Sequence, residues 1–276
     1  MGANGIIPFL WANLEEMVGE LGRILEWHRA RSRPLSDELV SRATSMPPCR
    51  GFAKALSGEG LAVIAEIKRR SPSAGDIWPD LDPADVAVSY ERGGAKCLSV
   101  LTDSEFFGGS PGDLLAARSA VGLPVLRKDF VVSEIDIYES RAMGADCVLL
   151  IVAAIAPEEL RHYLSLAAEL GMDALVEVHE PGEVEVALDA GASLIGVNQR
   201  DLRSFRVEES WAAKLASELP DGVLKVAESG IRGPKQAREL AEAGYDAILV
   251  GESLLKSEDP QRAVARLCEV GQGVSG

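Results

Sequence analysis

Two opposite charges stand two residues apart in the apolar segment Ala62-Val63-Ile64-Ala65-Glu66-Ile67-Lys68. The segment then breaks into the loop Arg69-Arg70-Ser71-Pro72-Ser73-Ala74-Gly75. A run this short and rich in Val and Ile reads as a strand buried on both faces. Side chains alternate along a strand, so Glu66 and Lys68 point to one side. Burying both charges is costly, and removing one strands the other. The pair is either a fixed ion pair that sets register or a group that holds charge and moves protons. Similar strand tips recur downstream: Ser99 and Thr102 with Phe106 and Phe107 after them, Arg127-Lys128-Asp129-Phe130, Glu177 with His179, Asn198 with Arg200, Glu228-Ser229-Gly230, and Gly251-Glu252-Ser253. A lysine among glutamates can act as general acid or as a clamp on developing charge. A glutamate near apolar walls can have a raised pKa and act as base. Phe107 and Phe130 offer flat apolar surface for an aromatic ring, or they are ordinary packing. The loops at Ser229-Gly230-Ile231 and Gly251-Glu252-Ser253 precede helices and can cradle an anion with backbone N–H groups, with Ser71 adding a hydroxyl. No Ser-His-Asp arrangement is present, and His179 reads as a histidine behind Glu177 or a structural one.

Charges so far apart in the chain can act together only if the fold gathers their strand ends. Eight apolar segments are candidate strands: Ala62–Ile67, Cys97–Leu101, Pro124–Leu126, Cys147–Val152, Ala174–Val178, Leu194–Val197, Leu224–Ala227 and Ala247–Val250. Helical stretches alternate with them: Pro83–Arg92, Pro111–Val121, Glu134–Met143, Pro157–Leu170, Pro181–Ala190, Glu208–Leu219 and Pro234–Ala243. Proline at helix starts costs nothing, and the glycines at 94, 144, 191 and 244 suit helix ends turning into strands. Strict alternation implies parallel strands, and eight units without a leftover block imply an α/β fold of the (β/α)8 TIM-barrel type. An open doubly wound sheet is the alternative, weakened because no GxGxxG follows the first strand. In a closed barrel the charged tips would share one mouth. Ahead of the barrel (61–276), residues 1–60 form a helical extension within one structural domain. Its helices are predicted over Leu14–Arg31, Ser36–Thr44 and Phe52–Leu56. The extension is either a packing arm or a lid over one barrel mouth.

The balance of 28 Lys and Arg against 43 Asp and Glu gives a net charge of -15. That argues against nucleic acid, whose phosphates are met by Lys and Arg. A small anionic substrate remains compatible, because local charge decides. Cys49, Cys97, Cys147 and Cys268 are widely spaced and read as reduced thiols of a cytoplasmic protein. No metal-ligand spacing links them to His28, His162 or His179. Met1–Leu10 has neither a basic start nor a long apolar stretch, and Ile6 breaks the myristoylation pattern. The longest apolar run, Cys147–Ala156, is about half of what a membrane helix needs. The expectation is a protein without membrane contact.

Seven strings, in order, resemble the indole-3-glycerol phosphate synthase family: Ile64 to Ser73; Ser99-Val100-Leu101-Thr102-Asp103 with Phe106 to Ser110; Pro124 to Phe130; Leu175 to His179; Gly196 to Leu202; Ala227 to Ile231; and Leu249 to Glu252. The first and third are specific, and the last is generic among phosphate-binding barrels. Gln199 stands where asparagine is frequent and Glu252 where serine is often found, which puts in doubt a phosphate contact by that side chain. The resemblance implies a lyase (carboxy-lyase) of tryptophan biosynthesis that acts without metal or organic cofactor. It would convert 1-(2-carboxyphenylamino)-1-deoxyribulose 5-phosphate to indole-3-glycerol phosphate, CO2 and water. Carried over by position, Lys128 is the general acid at the substrate ketone. Lys68 holds the substrate carboxylate and assists dehydration. Glu177 is general base or charge stabiliser, and Glu66, Asn198 and Glu228 orient the lysines and sugar hydroxyls. Ser71, Ser229, Gly230, Gly251 and Glu252 are the phosphate set. Phe107, Phe130 and Leu149 wall the ring, and Arg200 contacts substrate or braces the glutamates. A monomer or weak homo-oligomer is expected. Another phosphate-sugar barrel enzyme, or a non-catalytic phosphate-binding barrel, is the alternative.

Overall fold

The computed structural model describes residues 19–201 and 206–272. Three helices come first: α1 (Glu20–Arg31), α2 (Asp37–Thr44) and α3 (Phe52–Leu56). Residues 14–18 of the first predicted helix lie outside the described residues. α1 buries Leu21, Ile24 and Leu25 along one stripe and ends in His28, Arg29 and Arg31, charges that suit a helix C-terminus. Ser36 is the cap of α2 rather than part of it, its hydroxyl accepting from Leu39 N at 3.2 Å.

The remaining elements, in order, begin with β1 (Ala62–Ile67), a small hairpin of β2 (Arg70–Ser71) and β3 (Gly75–Asp76), α4 (Pro83–Gly93), β4 (Cys97–Leu101) and α5 (Pro111–Ala120). Next come β5 (Val125–Lys128), α6 (Glu134–Ala142), β6 (Cys147–Ile151), α7 (Pro157–Glu169), β7 (Asp173–Val178) and α8 (Pro181–Ala190). The chain continues through β8 (Leu194–Asn198), α9 (Trp211–Leu215), β9 (Leu224–Glu228), α10 (Pro234–Glu242), β10 (Ala247–Val250), α11 (Glu252–Leu255) and α12 (Pro260–Gln272). Apart from the hairpin, the strands pair in parallel and close in the order β1-β10-β9-β8-β7-β6-β5-β4. This is the expected (β/α)8 barrel. Its seam is sealed by α12, which packs on α4 and β1.

Every predicted strand is present, but several run further than their apolar part. β5 includes Arg127 and Lys128, paired with Val100 and Leu101. β8 and β9 include Asn198 and Glu228, which pair with each other. Ending a strand at its first charge assumes a wholly apolar interior, and here the C-terminal ends open on a polar cleft. Pro124 drops out of β5, having no N–H to give the ladder. The helix predicted over Glu208–Leu219 is shorter, because Val207 bridges back to Arg200 and Glu208 N donates to Gln199 O. Helix begins only at Trp211, and a 3-10 turn over Ala216–Glu218 follows it. Gly94, Gly144, Gly191 and Gly244 all have left-handed backbone, as the turn into a strand requires. None of the four cysteines is bonded to another. Among the described residues no helix is long and apolar enough to cross a membrane.

At the N-terminal ends of the strands a buried carboxylate ties the front of the chain to the barrel. Asp146 is fully buried, pairs with Arg118, and accepts from Arg50 N and Val125 N, each at 2.8 Å. Asp173 likewise accepts from Ala53 N at 2.9 Å. Replacing Asp146 by alanine leaves a largely buried guanidinium and two N–H groups unsatisfied. We expect Asp146→Ala to cost about 3 kcal/mol or more of unfolding free energy in urea titrations. An unfolding midpoint equal to the wild type would show that the network carries no stability.

Candidate active site

The period-two alternation of the strands aims every second residue into the C-terminal mouth. The mouth is a cleft of about 420 Å³. Its floor is lined by Glu66 and Lys68 of the first strand and its tip, Lys128 of β5, Glu177 of β7, Asn198 of β8 and Glu228 of β9. β6 contributes only Leu149 and Ile151. Phe107 and Phe130 stand on the same side, their ring centroids 6.3 Å apart. Ser71, Arg200, Ser229, Gly230, Gly251 and Glu252 line the same cleft. The fifteen residues to which the resemblance gives a catalytic, phosphate or ring role therefore line one cleft. Ser99 and Thr102 do not. Thr102 is instead bonded to Asp129 at 2.5 Å and accepts from Arg127 at 3.1 Å, bracing the strand that carries Lys128.

The floor is a charge network. Lys128 Nζ donates to Glu177 Oε2 at 2.8 Å and to Glu228 Oε2 at 2.5 Å. Lys68 pairs with Glu66. Asn198 Nδ2 donates to Glu177 Oε1 at 3.1 Å and its Oδ1 accepts from Arg200 N at 3.0 Å. Burial alone would lower the Lys128 pKa; Glu177, Glu228 and Glu66 together reverse that and hold it as a firm ammonium. Burial would raise Glu177, but Lys128 and His179 hold it well below the usual carboxylate range. Glu228 goes the other way: burial pushes it up, Lys128 pulls against this, and the Glu177 charge raises it again. Two glutamates on one lysine thus end with opposite proton affinities, a pattern suited to acid–base work. Glu228 Oε1 is buried without a hydrogen-bond partner among the described residues.

Two glycines hold this geometry open. A side chain at Gly196 would collide with Glu228 Oε1, and one at Gly251 would meet Glu66 Oε1 at 2.5 Å. Neither role leaves a sequence signal beyond small size. In the loop after β9, Ser229 and Gly230 are both left-handed, with φ of 66° and 74°. Ser229 is the one non-glycine residue in that region among those described, which marks a loop held in shape by its surroundings. Its carbonyl accepts from Gln199 Nε2 at 2.8 Å. Arg200 reaches the hairpin by donating to Ser73 Oγ at 2.8 Å. Glu252 lines the cleft but is bonded to Lys256 at 2.6 Å, and this contact lowers its pKa. A carboxylate offers an anion no hydrogen bond, so only the backbone there can serve one.

The front helix reaches the cleft as well. Leu21 and Ile24 of α1 are among its lining residues. His28 Nε2 lies 3.2 Å from Asp103 Oδ2, whose other oxygen accepts from Phe106 N and Phe107 N. α1 thus borders the cleft, while α2 packs on α6. His28, Asp103 and Asp129 also approach closely enough to hold a metal ion. Their oxygens already serve backbone N–H groups, Thr102 and Arg127, so the cluster reads as a clasp.

Comparison with known proteins gives the geometry its family. The family model for indole-3-glycerol phosphate synthase matches residues 18–267. Indole-3-glycerol phosphate synthase 2 of Streptomyces coelicolor is 48% identical over 264 residues, covering 96% of this chain and 99% of that one. The indole-3-glycerol phosphate synthase of Kineococcus radiotolerans is 51% identical over 240 residues, covering 85% and 88%. Among solved structures, a thiamine phosphate pyrophosphorylase from Pyrococcus furiosus superposes with a TM-score of 0.58 over 78% of this chain and 97% of its own, at 17% identity, a likeness of fold. With a family model spanning nearly its whole length and relatives near half identity, the chain belongs to the indole-3-glycerol phosphate synthase family.

Proposed function

We propose that this cleft closes the indole ring: it takes 1-(2-carboxyphenylamino)-1-deoxyribulose 5-phosphate and releases indole-3-glycerol phosphate, CO2 and water. The observation that carries the reading is Lys128, a half-buried ammonium fixed between two glutamates in a cleft also lined by Phe107 and Phe130. The ring carbon bearing the carboxylate attacks the ketone carbon, and the ketone oxygen becomes an alkoxide. An alkoxide is more basic than an amine, so Lys128 can give up its proton to it although its own affinity for that proton is raised. Lys68 meets the substrate carboxylate until it leaves as CO2, beside Leu149 and Ile151. In the final dehydration the hydroxyl leaves with a proton from Lys68, and Glu177, kept anionic, takes the proton lost from the ring system or stabilises the charge that develops. Glu228 Oε1, unpartnered, is placed to exchange a hydrogen bond with a sugar hydroxyl. Glu66 and Asn198 fix Lys68 and Glu177. Ser71, Ser229, Gly230, Gly251 and the backbone of Glu252 seat the phosphate, and Arg200 links that seat to the hairpin.

The four unpaired cysteines support a cytoplasmic working place. The acidic balance supports a small-molecule partner rather than nucleic acid. Among the described residues Trp78 and Leu115 are the only large apolar side chains left exposed, which supports a monomer or a weak oligomer.

Lys128→Ala should lower turnover on the order of 10²-fold or more, followed by indole fluorescence. Turnover within a few-fold of wild type would remove the general-acid role. Gly230→Ala puts a Cβ 2.6 Å from Val207 Cγ1 on a left-handed backbone. It should raise KM about tenfold and weaken competition by inorganic phosphate, with a smaller effect on kcat. Unchanged inhibition by phosphate would place the anion seat elsewhere.

A further inference from the structure

His179, one of three histidines in the chain, stands just after β7 and outside the cleft lining. Its Nε2 is 3.4 Å from Glu177 Oε1, within ion-pair reach. The nitrogen is buried and has no aligned hydrogen-bond partner among the described residues, so the attraction is one of charge rather than of a directed bond. On the far side of the ring Nδ1 is 3.3 Å from Glu183 Oε2, and the same oxygen accepts from His179 N at 2.6 Å. His179 O accepts from Trp211 Nε1 at 2.5 Å. Backbone and ring are thus held on both sides, and Glu183, buried in the first turn of α8, has no access to the substrate.

A neutral imidazole carries one N–H and one acceptor nitrogen. Here both nitrogens face carboxylate oxygens, and an acceptor against a carboxylate is repulsive. Only the doubly protonated ring suits both neighbours. Burial opposes the charge, but Glu177 and Glu183 outweigh it and raise the imidazole pKa to about 10.

We propose that His179 is a positioning residue: an imidazolium clamped by Glu183 that keeps Glu177 anionic and aimed at Lys128. The proposal rests on the reading that Glu177 acts in ring closure. Among the described residues, the charged groups in contact with Glu177 are Lys128 from β5 and His179 itself; Asn198 of β8 is uncharged, and Glu228 of β9 shares Lys128 and feels the Glu177 charge. Those facing His179 are Glu177 and, from α8, Glu183. Losing a cation beside a carboxylate raises the carboxylate pKa, so Glu177 would need a higher pH to ionise.

The experiment pairs a pH–rate profile with ring NMR. In His179→Gln the Glu177 carboxyl, held well below the usual range in the wild type, should rise to where it titrates in the acid limb of kcat/KM and move that limb to higher pH, while a merely structural role would lower the rate and leave the limb where it was. Nitrogen NMR of the intact protein, with its three histidines separated by the same variant, should show His179 doubly protonated at pH 8. Glu183→Gln should lower that titration midpoint without altering any group that meets substrate. A neutral His179 ring at pH 8, or an unmoved acid limb in a folded and active variant, overturns the proposal. Should His179→Gln not fold, the wild-type and Glu183→Gln titrations decide alone. Failure of the underlying reading looks different: Glu177→Gln would turn over like wild type, whatever the state of the imidazole.

Discussion

The structure depends on one half-buried ammonium. Lys128 meets two carboxylates from two other strands, Glu177 and Glu228, and none of the three could be sunk alone without heavy cost. The cation comes from β5 and the anions from β7 and β9, so only a closed ring of strands brings them together. Closure in turn needs room at the centre, which Gly196 provides by having no side chain where Glu228 lies. The charges also specify the barrel: a register slip in β7 would point Glu177 away from Lys128 and into the helix layer.

Stability and chemistry are assigned to opposite ends of the same strands. At the N-terminal ends Asp146 and Asp173 accept backbone N–H groups from the front segment and bind it to the barrel. At the C-terminal ends α1 leans over the mouth, with His28 on Asp103. The helices ahead of β1 are thus fastened both below and above the sheet, and the βα loops between are free to be shaped by substrate recognition.

Much of this was legible in the sequence because the barrel repeats itself. Apolar runs of strand length, proline at helix starts and left-handed glycine at helix ends located all eight units. Period two placed Glu66 with Lys68, and the ring of charged tips followed from closure. What escaped was carried by contacts between distant segments. The hairpin of β2 and β3 is too short to show a period, and its Arg70 N donates to Phe107 O across loops. α9 lost its first turn to the bridge between Arg200 and Val207. Gln199 looked like a departure from a pattern, yet its amide supports the Ser229 loop. Gly196, Leu21 and Ile24 carry no chemistry of their own, and Glu183 sits on a helix rather than at a strand tip, so nothing marked them.

The hydrocarbon that β6 brings to the mouth has its own consequence. Carbon dioxide is uncharged and has no permanent dipole, so ammonium and carboxylate groups give it little hold. On the proposed reading, Leu149 and Ile151 offer it hydrocarbon that suits it, while the sugar phosphate is held by the loops at Ser229 and Gly251. A waste gas and a retained intermediate are, on that reading, sorted by polarity within a single bowl.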